Sequence, residues 1–247
     1  MFFSRFRVTA RPAIYRIPDG VRVYAVGDIH GRYDLMCALL DKIEHDRRDA
    51  VSSQIVFLGD YIDRGPDSRR VIEALITGAD RDGWICLKGN HEAMWLGALD
   101  RSQPWDGWLA NGGVETLFSY GISARGFSMA GREDGLREAV LASVPGEHIA
   151  FIRQRPTSHA VGGYFFCHAG IRPGVPLSQQ APDDLMWIRD LFVDSRLDHG
   201  GRIVHGHTPA IEPEVLANRI NVDTGAYLTG RLTCVALEGD RVRIIHT

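Results

Sequence analysis

An α/β fold, with mixed β-sheets flanked by helices, is what the 247-residue sequence predicts, and three observations point to it. Strand and helix patterns alternate through the first hundred residues, which implies parallel pairing with helical crossovers. Strand patterns return from Tyr164 and end in short turns such as EGDR (238–241), which implies an antiparallel sheet in that half. The intervening stretch, about 100–160, has few strand signals. With 45% hydrophobic residues, the length suits one large domain with a full core; two would be cramped.

VRVYAVGD (21–28) is a strand of branched and aromatic residues ending in Gly-Asp. A helix follows from about Arg32 to Asp46, where Leu35, Leu39 and Ile43 repeat at four with Met36 and Leu40 alongside. QIVFLGDYIDRGPDS (54–68) begins as a buried strand and then gathers Asp60, Asp63 and Arg64 at its tip. A second helix runs from about Asp67 to Thr77, turning Val71, Ile72, Leu75 and Ile76 inward. A third strand, WICLKGN (84–90), leads into HEAMWLGAL. Residues 100–160, with WLANGGVETLFSYG and VPGEHIAFIRQRP, read as a helical insertion packed over the strand ends. Five strands complete the pattern: YFFCHAG (164–170), RIVHGHTP (202–209), RINVD (219–223), LTCVALE (232–238) and RVRIIH (241–246).

Bulk properties exclude several classes. A formal net charge of −3 gives no basic field for nucleic acid. Cys37, Cys86, Cys167 and Cys234 stand singly among apolar neighbours, as reduced thiols do in a cytoplasmic protein. No apolar run has transmembrane length and there is no signal-peptide core. Residues 1–20 set Arg5, Arg7, Arg11 and Arg16 against Asp19 alone. Transit peptides share that balance, but the scarcity of serine favours a basic arm lying over a domain of residues 21–247.

The charged residues collect at strand tips. The first strand ends GDIHG, with Asp28 and His30; the second GDYIDRG, with Asp60, Asp63 and Arg64; the third GNHE, with Asn90 and His91. Later strands end at His168 (HAG) and at His205 and His207 (HGHT). Carboxyl ends of strands in open α/β sheets converge on one crevice where ligands bind. Aspartate, histidine and asparagine without thiolate suit Mn, Fe, Zn or Mg rather than a soft metal. These ligands are too many for one ion with an open position, whereas a shared carboxylate holds two ions about 3.5–4 Å apart. Asp60, on the central of the first three strands, is the candidate bridge. Asp28 and Asp60 cancel only two of four metal charges, so the crevice would attract phosphate. A lone Gly-Asp after a strand is usually just a turn; five such tips in this order are not.

GDIHG, GDYIDRG, GNHE, HAG and GHT, in that order and at these distances, resemble the metal-dependent phosphoprotein phosphatases, within the wider calcineurin-like metallophosphoesterases. The likeness is to the compact bacterial and phage branch and spans about residues 21–235, including WLANGG (108–113) and MWIRD (186–190). The resemblance implies a metallophosphoesterase sandwich with the insertion over the strand ends. It implies that Asp28 and His30 hold one divalent ion, that Asp60 bridges, and that Asn90, His168 and His207 hold the second. Manganese is the first expectation, with Fe, Zn and Co also accepting these ligands. Arg64 and Arg189 would bind phosphoryl oxygens, together with Asn90 and His91. His91, oriented by Asp63, would protonate the leaving oxygen. A hydroxide bridging the two ions would attack phosphorus directly. The implied activity is removal of phosphate from phosphoserine and phosphothreonine in proteins, and from phosphotyrosine as an extension. The runner-up is a dinucleoside polyphosphate hydrolase, which the intact Asp63-Arg64-Gly65 fits less well; a nuclease is disfavoured by the same arginine.

Other residues invite plainer readings. His45, His148, His159, His199 and His246 lie outside the tips and read as surface or structural histidines. His205 reads as the last residue of its strand, Asp223 as a turn, cap or support to the site, and Trp105 and Trp108 as core anchors. A regulatory module that binds metal or phosphate without turnover would have lost a ligand or His91, and none is lost.

Overall fold

Strand β1 (Val21–Val26) sends Tyr24 and Val26 to one face and Val23 and Ala25 to the other, and both faces are buried. β2 (Ser52–Phe57) does the same, with Ile55 and Phe57 opposite Val56 and the following Leu58. Burial on both faces is what parallel strands covered by helices require. β1 and β2 pair in parallel, and β3 (Ile85–Cys86) extends the sheet beside β2. The computed structural model from which these contacts come describes residues 15–123 and 132–247.

Two five-stranded sheets face each other. The first has the order β10-β9-β1-β2-β3, closed by the antiparallel hairpin β9 (Thr233–Glu238) and β10 (Arg241–His246). The second has the order β4-β5-β6-β8-β7, from β4 (Ser158–Val161), β5 (Tyr164–Cys167), β6 (Arg202–His205), β7 (Glu214–Val215) and β8 (Arg219–Asn221). Val23, Val56 and Val235 of the first sheet meet Phe166, Val204 and Ile220 of the second in a continuous apolar layer. Helices α1 (Tyr33–Asp46), α2 (Ser68–Asp82) and α3 (Asn90–Leu99) cover the outside of the first sheet. Short helices α4 (Pro182–Trp187) and α5 (Asp190–Val193) cover the second through Leu185 and Phe192.

The expectation of an antiparallel second half is corrected here. β5, β6 and β8 run parallel; only the edge pairs β4–β5 and β7–β8 are antiparallel, and the final hairpin belongs to the first sheet. Tight turns report only on strands adjacent in sequence. The long connection from β5 to β6 carries helices, and crossovers of that length join parallel strands. The sequence pattern also misses β4 and β7, and it lets several strands run too long. β3 stops at Cys86 rather than Asn90, β5 at Cys167 and β6 at His205. In each case the chain leaves the ladder to carry its last residues into the crevice. α2 runs past Thr77 to Asp82, where Gly83 at φ 67° ends it.

Between β3 and β4 the described chain is helical. Helices Trp105–Trp108 and Val114–Ser119 flank a π-turn at Leu109–Gly113, and helices Arg132–Ser143 and Gly146–Arg153 follow. Of the basic arm, residues 1–14 lie outside the described residues. Ile17 is buried, its N–H donating to the Gly239 carbonyl at 2.8 Å, and the Arg16 carbonyl accepts from Gly163. All four cysteines are free thiols, and no described helix is long and apolar enough to cross a membrane.

Candidate metal centre

Six non-glycine residues among those described have φ in the left-handed region, and five of them are strand-tip residues: His30, Asp60, Asp63, Arg64 and His207. Such backbone costs about 1–3 kcal/mol at each position and persists where the surroundings over-determine it. Here the tight bends turn the side chains of several strands toward one point.

Two buried groups result, and they share one residue. His30, Asp60 and His91 bring ligand atoms within 4.8 Å of one another, as do Asp60, His168 and His207. Asp60 Oδ2 lies 3.6 Å from His30 Nε2 and 3.4 Å from His168 Nε2. The Asn90 amide oxygen stands 2.9 Å from His168 Nε2, and His207 Nδ1 3.1 Å from the same nitrogen. The Asp28 carboxylate accepts the His207 backbone N–H at 3.2 Å. The structure thus brings Asp28, His30, Asp60, Asn90, His168 and His207 together, and it adds His91 to the first group.

Ring orientation favours metal coordination. His30 points Nδ1 at the Ile62 carbonyl (2.8 Å) and His168 points Nδ1 at the Leu58 carbonyl (3.2 Å), which leaves Nε2 of each facing the crevice. His207 Nε2 is buried without a hydrogen-bond partner among the described residues. Burial lowers His30 to about 3, and burial with the neighbouring His168 lowers His207 to about 2, so both rings are neutral as ligands must be. Burial works against the Asp60 charge, yet the His168 and His91 imidazoles outweigh it and hold that carboxyl well below its usual range. Burial also opposes the charge on His168, but the Asp60 and Asp28 carboxylates raise it to about 9. One proton therefore stands where carboxylate and amide oxygens converge, a place suited to a cation. The donor set fits a pair of divalent ions sharing Asp60.

Beside the first group lies a second unit. His91 Nδ1 donates to Asp63 Oδ2 at 2.6 Å. Burial works against protonation of His91, but the Asp60 and Asp63 carboxylates raise its pKa. Arg64 donates Nη1 to His30 Nε2 (2.9 Å) and Nη2 to His91 Nε2 (3.0 Å), and its guanidinium lies 4.7 Å over the Tyr227 ring. Arg189 is exposed at the rim, and its Nη1 reaches the His207 carbonyl at 3.3 Å.

Several supporting residues escape a reading of the sequence. Glu92 accepts the backbone N–H groups of Asp60 (2.9 Å), Tyr61 (2.8 Å) and Gly89 (2.9 Å). Trp108 is buried, as expected of a core anchor, but its Nε1 also donates to Asp63 Oδ2 at 2.8 Å. Thr116 donates to Asp63 Oδ1 at 2.6 Å. Glu92 stands within GNHE, and its signal was an acid in a context too apolar for solvation; nothing local marks Thr116. His205 ends β6 with its ring against Phe192 at 5.0 Å, and Asp223 accepts the Gly225 N–H in a turn. His148 bonds the Tyr120 hydroxyl, well apart in role from the two groups.

The chain is similar to known phosphoesterases. The model of the calcineurin-like phosphoesterase family matches residues 21–245. Serine/threonine-protein phosphatase 1 of Salmonella typhimurium is 28% identical over 225 residues, covering 87% of this chain and 92% of its own. The asymmetrical bis(5'-nucleosyl)-tetraphosphatase PrpE of Anoxybacillus flavithermus is 26% identical over 234 residues, covering 85% and 88%. The cold-active protein-tyrosine phosphatase of a psychrophilic Shewanella shares the fold with a TM-score of 0.56 at 16% identity, covering 95% of this chain and 83% of that one.

The shared carboxylate and its support can each be tested. Elemental analysis of manganese-saturated protein should give two ions per chain, and Asp60→Asn should fall below one; retention of two would remove Asp60 from its bridging place. Glu92→Ala should strand three buried N–H groups and lower stability by about 3 kcal/mol or more, with Glu92→Gln costing less. Urea midpoints measure this, and a Glu92→Ala loss under about 0.5 kcal/mol, the usual size of a surface change, would contradict it.

Proposed function

Because the chain belongs to the calcineurin-like phosphoesterase family, we propose that it removes phosphate from phosphoserine and phosphothreonine in proteins, with phosphotyrosine open to the same chemistry. Metal-dependent phosphoester hydrolysis rests on the family and the buried histidine–aspartate groups; the protein substrate and the roles of individual residues are the proposed part. The observation that carries it is the joined unit of Asp63, His91 and Arg64, in which one arginine spans the imidazoles of His30 and His91.

In this reading Asp28, His30 and Asp60 would hold one divalent ion, and Asp60, Asn90, His168 and His207 the other, manganese first among the candidates. When bound, such ions would lower the pKa of water and neutralise phosphoryl charge. The protein's own groups do the rest. Arg64 offers two parallel N–H donors, and phosphoryl oxygens are stronger acceptors for them than imidazole nitrogens. Arg189 closes the other side of the phosphoryl group from the rim. Once Arg64 turns from the imidazoles to the phosphoryl oxygens, His91 Nε2 is free to carry a proton toward the crevice, while Asp63 holds the opposite nitrogen and favours the imidazolium. Trp108 and Thr116 keep Asp63 from swinging away. The leaving serine oxygen takes the His91 proton as the bond to phosphorus breaks.

The similarity to PrpE supports the other reading, hydrolysis of dinucleoside polyphosphates. A panel at fixed manganese separates the two. Phosphoserine peptides should exceed diadenosine tetraphosphate in kcat/KM; the reverse order would move the enzyme to the second class.

His91→Ala should affect substrates unequally. A serine alkoxide needs a proton in the transition state, and a positioned acid is worth roughly a hundred- to ten-thousand-fold there. Nitrophenolate leaves without one. The ratio of peptide to nitrophenyl phosphate efficiency should therefore fall at least tenfold, a conservative share of that range, while Arg64→Ala lowers both about equally. An unchanged ratio in His91→Ala would show that the proton comes from elsewhere.

A further inference from the structure

Arg64 faces two ways. Its guanidinium reaches the imidazoles, while its flank opens on a surface groove of about 560 Å³ lined by Pro66, Val114, Glu115, Phe118 and Ile122. The groove is built on the helix Val114–Ser119, whose start is tied to the site. Gly112 accepts the Arg64 N–H at 3.1 Å, and it sits so close that a Cβ there would lie 2.7 Å from the Arg64 nitrogen. Thr116, in the first turn of the helix, holds Asp63 on its inner face. The outer face of the same helix presents apolar groups to solvent: Phe118 is 77% exposed and Val114 44%. A helix face that exposes a phenylalanine and a valine beside an active-site arginine has apolar surface to cover.

We propose that this groove is a specificity subsite that seats an apolar side chain of the substrate peptide, from a residue close in sequence to the phosphorylated one. This rests on the protein-phosphatase reading above and narrows it to peptides with a large aliphatic or aromatic neighbour. Arg64 lines the groove together with Val114 and Phe118, so a residue close in sequence to a phosphoserine held by Arg64 comes within reach of them. Charge argues against a polyphosphate occupant. Among the described lining residues Arg64 is the only cation, and Glu115 would repel a second phosphate. Apolar walls and one carboxylate suit a peptide segment without further phosphates. The phenyl ring of Phe118 supplies the largest exposed apolar area and is the residue on which the preference depends.

The test compares phosphoserine peptides that differ only by leucine or alanine, placed in turn at each of three positions on either side of the phosphoserine. With manganese-loaded wild-type protein, leucine at one or two of those positions should raise kcat/KM about tenfold, within the range that a few methylenes confer in an apolar pocket. Phe118→Ala should reduce that preference to about twofold or less, and Phe118→Leu should restore most of it. Nitrophenyl phosphate, too small to reach the groove, should be turned over equally by all three proteins, which also shows that the variants are folded. Equal turnover of leucine and alanine peptides by the wild type would overturn the subsite. So would a leucine preference that survives in Phe118→Ala. Hydrolysis of diadenosine tetraphosphate with no turnover of any peptide would fail the protein-phosphatase reading itself, and the subsite with it.

Discussion

The Glu92 carboxylate, accepting hydrogen bonds from the chain just after β2 and just before α3, is the contact on which the metal centre depends. Asp60 occupies left-handed backbone, which an aspartate does not adopt by preference. Glu92 holds it there by taking the N–H groups of Asp60 and Tyr61, and it takes Gly89 N–H from the other side. Burial and the Asp60 charge raise Glu92 to about 7 and its backbone donors pull the other way; in those hydrogen bonds it serves as a rigid peg between two strand tips. The close approach of those tips has a second condition. Gly89 must be glycine, since a Cβ would come within 2.1 Å of the Asp60 carboxylate.

Concentrating acids in a buried crevice raises an electrostatic difficulty that the protein meets with histidines. Burial raises Asp28 well above its usual range, and the neighbouring Asp223 and Asp60 add to that; Asp223 itself is raised to about 6, first by burial. Both groups therefore take up protons more readily than ordinary carboxylates, which limits their mutual repulsion. His168, held protonated by Asp60 and Asp28, is the partial answer within the chain. A divalent ion held here would replace that single proton with two charges, so metal binding would also relieve carboxylate repulsion.

What the sequence revealed and what it hid differ for a physical reason. The candidate ligands that end strands were readable because a polar residue directly after a buried apolar run must serve either a turn or a ligand. Asp28, Asp60, Asn90, His168 and His207 all meet as that logic required. The helices α1 and α2 were readable from their apolar stripes. Topology of the second sheet was not, because pairing partners are set by which faces meet, and the turn signals that were visible describe only neighbours in sequence. Tyr164, Phe165 and Phe166 are buried on both faces, a parallel-strand feature that a four-residue run is too short to announce. Trp108 and Thr116 were hidden for the same reason. Their value lies in reaching Asp63 across 45 and 53 residues of chain, and no local pattern encodes a partner that distant.

The insertion unites these points. A single run from Trp108 to Ile122 steadies the residue that orients His91, supports the Arg64 backbone through Gly112, and then turns its outer face to solvent beside that arginine. Its inner surface is constrained by buried hydrogen bonds to Asp63, which tolerate little change. Its outer surface carries no such bonds among the described residues and can vary at small cost to stability. A segment built this way can change its outer face without disturbing the Asp63–His91 pair. Chemistry and substrate choice can therefore reside on opposite faces of one short helix.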